Sequence, residues 1–371
     1  MTALPSLDEC GLDETGLDIW KKLLEAEKTA LEDADSSKAK YNDPIIGIRL
    51  LGFFLKDFSA HALDYGLTPY ARLCREITSC FNKSDDKAIY DALVELGLRY
   101  RSYLLRVFRS NTGGEPTPSR HASRPSFEVV KERILEELSN VPQTTRSLKK
   151  LALLRDGYRC AISRVYDMQS CDIDEIREAA VRGNSKALGT DVAHIIPESA
   201  QDGDKDYAAT VLAMLEMFGL EEKAKSLSGG QVNSLHNVIT MVHDLHIAFD
   251  SFDLWLEPVA EYENTYKVCG NPRRLELFPI PIPSRITFSI DPAVAAAAKA
   301  LNKELMLPDR SLIAIRAACA RVANLSGAAE QAKRILRDLE DTTVLADDGS
   351  SAELLSSRLS MLTSRFTYVH G

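Results

Sequence analysis

The stretch that decides how this chain is interpreted reads Asp191-Val192-Ala193-His194-Ile195-Ile196-Pro197. It is a short apolar run of strand character that places a histidine near its end. A second such run starts at Asn237 and leads into His246, which is followed four residues later by Asp250. Because residues four apart lie on one face of a helix, His246 and Asp250 could hold one divalent cation. The two segments predict a strand, a strand and a helix around a group of polar side chains.

These residue types match the needs of phosphodiester hydrolysis. That reaction requires a base for water, a cation for the charge on the phosphate and leaving oxygen, and a group that holds the base in place. His194 is the candidate base, because imidazole titrates near neutral pH. Asn237 can hydrogen-bond the backbone of the loop after the first strand. His246 and Asp250 offer a nitrogen and an oxygen, which suits Mg²⁺ or Mn²⁺, with Zn²⁺ as an alternative.

The order of these residues resembles the HNH endonuclease family of the ββα-metal superfamily. The resemblance rests on Ala193 to Pro197, on Asn237 and on His246-x-x-Phe249-Asp250, and it covers residues 148–285. It implies an α+β fold whose ββα-metal domain carries short extra strands. It also implies His194 as general base, Asn237 as organiser of the loop, and His246 with Asp250 as metal ligands. The implied partner is nucleic acid, with DNA favoured over RNA. The helical flanks loosely resemble those of fungal proteins that carry this domain.

The position before the candidate base departs from the family pattern. Many relatives have a metal-binding Asp or His there, whereas this chain has Ala193, which cannot bind a metal. Asp191 shares the strand face of Ala193, opposite His194, because alternate residues of a strand point the same way. Asp191 is therefore a secondary candidate ligand. His243 is another, because it lies three residues before His246 and could share its helix face. For His243, however, a role as a cap or flank of the helix start is favoured.

A basic cluster precedes the first strand. Its members are Lys149, Lys150, Arg155, Arg159 and Arg164. They could line a channel for the nucleic-acid backbone. A solvated charged face is an equally good interpretation, because Asp156 and Asp167 lie among them. Cys160 stands where relatives begin a zinc-binding CxxC, but Ser163 fills the second position, so we expect Cys160 to be a buried apolar residue.

Composition limits the class of protein. The chain has 371 residues, 45% hydrophobic content and a formal net charge of −9, which fits a globular protein of two or three domains. The acidic balance excludes a generally basic nucleic-acid coat but allows a local cationic groove. The seven scattered cysteines form no CxxC pair. With no secretory start and no apolar run long enough for a membrane span, an intracellular protein, nuclear or cytoplasmic, is expected.

The pattern along the chain predicts four segments. They are a helical N-terminal region at 1–110, a linker and connecting helix at 111–147, the HNH domain at 148–285, and a helical C-terminal region at 286–371. Turn formers and prolines mark the linker, and apolar residues at helical spacing mark the flanks.

Two functions are compatible with this organisation. The first is a metal-dependent nuclease. The second is a catalytically weak or inactive HNH scaffold that binds nucleic acid or protein, with the helical flanks as the partner surface. The net charge of −9 and Ala193 favour the second. Metal-dependent turnover of DNA distinguishes the two.

Overall fold

The computed structural model describes residues 1–37, 41–109, 131, 134, 135, 144–197, 215, 216, 218–227 and 231–341. These residues divide into two units, each of which combines segments that are distant in sequence. The first contains the described residues of Met1–Arg109, Lys205–Glu221 and Ala318–Gly371. The second contains those of Ser110–Asp204 and Glu222–Ala317. Most of the predicted linker and connecting helix at 111–147, and the part of the predicted C-terminal region after Asp341, lie outside the described residues.

Helices make up the regular structure of the first unit, within its described residues. They are α1 (Leu7–Cys10), α2 (Glu14–Ser37), α3 (Asp43–Ala60), α4 (Ala62–Tyr65), α5 (Thr68–Cys80) and α6 (Asp86–Arg109), with α14 (Ala328–Asp341) from the C-terminal side. The apolar residues at helical spacing predict α2, α3, α5 and α6 within a few residues. The aromatic rings of Phe54, Phe58, Tyr100 and Phe218 pack with centroids 5.1–6.0 Å apart in the core of this unit.

Two glycines allow α3 and α6 to approach closely. A Cβ added to Gly47 would lie 3.2 Å from the Val94 carbonyl oxygen, and one added to Gly97 would overlap the backbone of Gly47. The helices therefore touch backbone to backbone at this point. A side chain there would force them apart and disturb the packing along both helices.

We expect Gly97→Ala to lower the free energy of unfolding by about 1–3 kcal/mol, the usual cost of overpacking. Urea denaturation followed by far-UV circular dichroism measures this, because the signal reports both units. The matched control is Gly189→Ala, since a Cβ at Gly189 meets nothing within 4 Å. Equal stability of the Gly97 and Gly189 variants would contradict the close approach.

The second unit combines helices with short strands. Its strands are β1 (Tyr166–Asp167), β2 (Ala187–Leu188), β3 (Thr190–His194), β4 (Val238–Val242), β5 (Leu254–Pro258), β6 (Thr265–Gly270) and β7 (Arg285–Thr287). Its helices are α7 (Thr145–Arg155), α8 (Asp174–Arg182), α9 (Glu221–Leu227), α10 (His243–Asp250), α11 (Pro272–Leu275) and α12 (Pro292–Ala300). Single 3₁₀ turns cover Gln169–Asp172 and Leu235–Asn237. Helix α13 (Arg310–Ser326) contributes its residues up to Ala317 to this unit. The mixture confirms the α+β class.

Three small sheets form among these strands. β1 pairs with β2 in parallel, β3 pairs with β4 antiparallel, and β5, β6 and β7 form an antiparallel sheet in that order. The buried carboxylate of Asp167 ties the first sheet to the second, because it accepts hydrogen bonds from the Thr190 hydroxyl at 2.7 Å and from the Ser170 amide at 2.8 Å. The core beneath them is apolar. It includes Leu148, Leu151, Leu154, Tyr166, Val238, Val294 and Leu305.

The second unit extends beyond the HNH domain that the sequence predicts at 148–285. Residues 286–317, which the sequence assigns to a separate C-terminal region, cluster with the unit that contains β1 to β7.

Within the described residues no single helix is long and apolar enough to cross a membrane. The bent pair of helices Arg310–Ser326 and Ala328–Asp338 has the length and apolar composition of a membrane span only when both helices are counted together.

Candidate active site

The site is built on β3, β4 and α10. Asp191 lies opposite Met241 in the strand pair, and His194 lies opposite Val238. Helix α10 begins at His243, directly after β4, and all five residues of β4 are buried. The helix is thus anchored to the strand pair at its first residue. Because strand neighbours point to opposite faces, Asp191 and Ala193 share one face of β3, and His194 points from the other.

Four side chains form what we call the carboxylate–imidazole cluster: Asp191, His243, His246 and Asp250. Nδ1 of His243 lies 2.6 Å from Oδ2 of Asp191, and Nδ1 of His246 lies 3.6 Å from the same oxygen. Nε2 of His246 lies 3.1 Å from Oδ2 of Asp250, one helical turn away. The structure therefore brings both predicted ligands and both secondary candidates together. His243 faces solvent with 65% of its side chain exposed, whereas His246 is three-quarters buried.

The cluster carries a strong charge interaction. Burial alone would lower the pKa of His246, but the carboxylates of Asp191 and Asp250 outweigh it and raise the pKa to about 9. In turn His246, with His243, lowers the pKa of Asp191 to about 2 against the effect of burial. At neutral pH and without metal, His246 is therefore a cation held between two anions.

The donor chemistry fits a divalent cation, but the side chains do not form a finished cage. His246 presents one ring nitrogen to Asp191 and the other to Asp250, and these nitrogens point in diverging directions, so one ion cannot meet all three groups as they stand. Consistently, no group of three or more His, Cys, Asp or Glu side chains forms a preformed metal site in the part of the chain that the structure describes. Imidazole nitrogen with carboxylate oxygen is still a donor set that Mn²⁺, Mg²⁺ and Zn²⁺ accept.

The imidazole of His194 is buried and held by a residue that the sequence did not single out. Its Nε2 lies 2.8 Å from Oδ1 of Asn233. An amide oxygen only accepts, so Nε2 carries the hydrogen, and the lone pair of the neutral ring is on Nδ1. Asn233 lies four residues before Asn237 in a turn-rich stretch, where a polar residue gives no signal of such a contact.

The side chain of Asn237 joins the segment that follows β3 to the segment that precedes β4. Its Oδ1 accepts from the Ile196 amide at 2.9 Å, and its Nδ2 donates to the carbonyls of Ile196 at 2.8 Å and Val232 at 2.9 Å. The backbone carbonyl of Asn237 also accepts from the Ile195 amide at 2.8 Å. The loop contact expected from the sequence is present, and it fixes the segments that carry His194 and Asn233.

A buried arginine from α13 also reaches this site. Nη1 of Arg316 donates to the Ile195 carbonyl at 2.8 Å, and Nη2 donates to the Phe249 carbonyl at 2.7 Å and to Oδ1 of Asp250 at 3.1 Å. The guanidinium carbon lies 3.7 Å from the centroid of the Phe249 ring. Sequence reasoning missed Arg316, because it belongs to an alanine-rich helix with no motif.

The basic cluster divides into one buried residue and four more accessible ones. Arg155 is fully buried, pairs with Asp156 at 2.8 Å, and donates to the carbonyls of Leu235 at 2.7 Å and Val238 at 3.0 Å. This corrects its assignment to a nucleic-acid interface, because a guanidinium enclosed by main-chain carbonyls cannot reach a phosphate. Its role is to hold the start of β4.

The remaining basic residues keep their heads nearer the surface. Nζ of Lys149 donates to the Thr190 carbonyl at 2.6 Å, and Lys150 is half-buried. The Arg159 guanidinium lies 4.0 Å from the centroid of the Tyr166 ring and hydrogen-bonds its hydroxyl. Arg164 is exposed, on left-handed backbone with a φ of 61°. These four stay candidates for a phosphate contact.

The comparison with known proteins agrees with this site. A family model described as HNH endonuclease matches residues 160–257, which include His194, Asn237, His246 and Asp250. The chain therefore carries a domain of the HNH endonuclease family. That domain suggests nuclease-type hydrolysis of nucleic acid, and such nucleases generally use a divalent metal ion. No curated protein and no solved structure matches the chain. Cys160 is fully buried, as the sequence predicts, and its sulfur accepts from the Ser163 amide at 3.3 Å.

In metal-free protein we expect His246 to titrate near pH 9. Since this pKa exceeds the ordinary 6.5, the pairing stabilises the fold fully below about pH 6.5. The stabilisation, at most about 3 kcal/mol, is lost as the pH rises through 9. Histidine ring NMR and thermal denaturation in EDTA measure both effects.

Two variants of this protein isolate the cause. Asp191→Asn removes one carboxylate partner and should bring the pKa of His246 down towards its ordinary value. Asp244→Asn is the matched control, because Asp244 is an exposed carboxylate on the same helix, and it should leave the pKa near 9. An equal effect of the two substitutions would contradict a specific contact.

Proposed function

We propose that the second unit is a metal-dependent nuclease that hydrolyses phosphodiester bonds, with DNA as its substrate. The observation that carries the proposal is the carboxylate–imidazole cluster, which lies on the strand, strand and helix of the matched HNH segment. His194 lies three residues further along the same strand, and its side chain is on the face opposite Asp191. In this proposal β3, β4 and α10 are the ββα-metal element of the family.

Each residue then has one task. His194 acts as the general base, with Nδ1 taking a proton from water while Asn233 holds Nε2–H. Asn237 keeps the loop after β3 in place. His246 and Asp250 would hold the cation, and Asp191 would supply the carboxylate that Ala193 cannot. When bound, the cation supplies positive charge beside the phosphate and the leaving oxygen.

His246 is a cation in the metal-free cluster, so it would have to lose one proton before a ring nitrogen could coordinate a divalent cation. His243 contacts Asp191 from the solvent side and is a candidate for a phosphate contact as well as for an additional ligand. Lys149, Lys150, Arg159 and Arg164 are the proposed contacts with the nucleic-acid backbone.

A second candidate function rests on Ala193 and on the absence of a finished metal cage in the described residues. It is an HNH scaffold that binds nucleic acid without cleaving it. The two candidates differ in one measurement, the nicking of supercoiled plasmid with Mg²⁺ or Mn²⁺ compared with EDTA. Metal-dependent nicking selects the nuclease, and binding without nicking selects the scaffold.

We expect His194→Ala to reduce plasmid nicking by about 100-fold or more, the usual contribution of a general base. Binding of Mn²⁺, measured by isothermal titration calorimetry, should persist, because His194 is not among the ligands. His236→Ala is the matched control, since His236 lies in the same unit and hydrogen-bonds Ser234 rather than the cluster. Nicking by the His194 variant at the rate of the wild type would refute the assignment of the base.

The tautomer of His194 is tested at Asn233. Asn233→Leu removes the oxygen that accepts from Nε2, and we expect a loss of nicking of about tenfold. Asn233→Asp keeps an acceptor and adds a negative charge, so it should raise the pKa of His194 and move the acidic limb of the pH–rate profile to higher pH. If both variants have the wild-type profile, Asn233 does not act on the base.

A further inference from the structure

We infer that Arg316 is a positioning residue of the nuclease centre and that α13 is a necessary part of it. The inference rests on the proposed function and adds to it a residue outside the matched segment 160–257. Arg316 is 1% exposed, and its guanidinium joins the end of β3 to the end of α10. These are the two elements that carry the proposed base and the proposed metal ligands.

The contacts require an arginine rather than any cation. The planar fork of this guanidinium reaches three carbonyls and a carboxylate at once, while an ammonium group acts as a point charge. Nη1 donates hydrogen bonds to the carbonyls of Ile195 at 2.8 Å and His194 at 3.3 Å. Nη2 donates to the Phe249 carbonyl at 2.7 Å. This carbonyl is in the last turn of α10, where a helix leaves carbonyls without intrahelical partners and the helix dipole favours positive charge.

The contact with Asp250 gives Arg316 its influence on the metal. Nη2 holds Oδ1 of Asp250 at 3.1 Å, while Oδ2 faces Nε2 of His246 at 3.1 Å. One carboxylate oxygen is therefore fixed on the protein, and the other is directed into the cluster. Groups that orient a ligand in this way commonly change metal affinity by 10–100-fold when they are removed.

The carbonyl contacts give Arg316 an influence on the base as well. The carbonyls of His194 and Ile195 belong to the turn that leaves β3, and Arg316 fixes that turn from one side while Asn237 fixes it from the other. The same guanidinium thus sets the position of the proposed base relative to α10. A shift of the helix cannot occur without a change at His194.

The experiment measures Mn²⁺ affinity of the full chain by isothermal titration calorimetry. Arg316→Lys keeps the charge but loses the fork, and we expect the Kd to rise by tenfold or more. Arg49→Lys is the matched control, because Arg49 is also buried and its guanidinium also pairs with a buried carboxylate, that of Glu27, but it lies in the first unit and contacts no residue of the cluster. It should lower the melting temperature to a similar degree and leave the Kd for Mn²⁺ unchanged.

A double substitution separates positioning from simple stability. In an Asp250→Asn background the carboxylate that Arg316 orients is gone, so adding Arg316→Lys should change the Kd by less than threefold. If Arg316→Lys does not fold, Asp250→Glu tests the same contact, since it keeps a carboxylate but moves it past the guanidinium. We expect it too to weaken Mn²⁺ binding by about tenfold.

The outcomes are distinct. A wild-type Kd for Arg316→Lys, or for Asp250→Glu where that variant is needed, overturns the inference. So does an equal loss of affinity in Arg49→Lys. Mn²⁺ binding that depends on Arg316, in a chain that nicks no plasmid, supports the inference and rejects the nuclease. A wild-type chain that binds no Mn²⁺ overturns both.

Discussion

The register of β3 against β4 is the constraint on which the site depends. With Asp191 opposite Met241 and His194 opposite Val238, one face of β3 gives a carboxylate to α10, and the other face gives an imidazole to Asn233. A slip by one residue would exchange the faces and separate every group that the site needs. Asn237 prevents such a slip, because its side chain bonds both the amide and the carbonyl of Ile196.

Two buried arginines complete this arrangement from outside the strand pair. Arg155 holds the carbonyls of Leu235 and Val238 at the start of β4, and Arg316 holds those of Ile195 and Phe249. A short strand pair and an eight-residue helix would bury little apolar surface by themselves. The guanidinium groups bind main-chain carbonyls at the ends of strands and helices, so they fix the backbone where regular structure ends.

Local patterns predicted the regular elements well. Apolar periodicity located α2, α3, α5 and α6, and the strand of Leu254 to Pro258, because these depend on neighbours in sequence. The assignment of Arg155 to a nucleic-acid interface was wrong, because it considered the charge of the residue and not the helix face on which it lies. Arg155 follows Leu151 by four residues and Leu148 by seven, so the spacing itself places it on the buried side of α7.

The structure brings together the candidate residues whose spacing a motif fixes, whereas sequence reasoning missed the residues whose contacts are long-range. Asn237, His246 and Asp250 are tied to one segment, whereas Asn233 and Arg316 act on residues brought close only by the folded chain. The distance between Arg316 and Ile195 is 121 residues along the sequence. No pattern in a single sequence connects such a pair. The need for a cation arises only in the folded chain, where the carbonyls of Ile195 and Phe249 lie close together.

Ala193 illustrates how one substitution can be compensated in space. Ala193 is fully buried, and it shares the face of Asp191, whose carboxylate contacts α10. A methyl group there leaves the helix room to lie close against the strand, while the carboxylate comes from two residues earlier on the same face. The metal-free cluster then balances its two carboxylates with the proton on His246. A small residue before His194 is therefore compatible with a charged cluster, because Asp191 places a carboxylate two positions earlier on the same strand face.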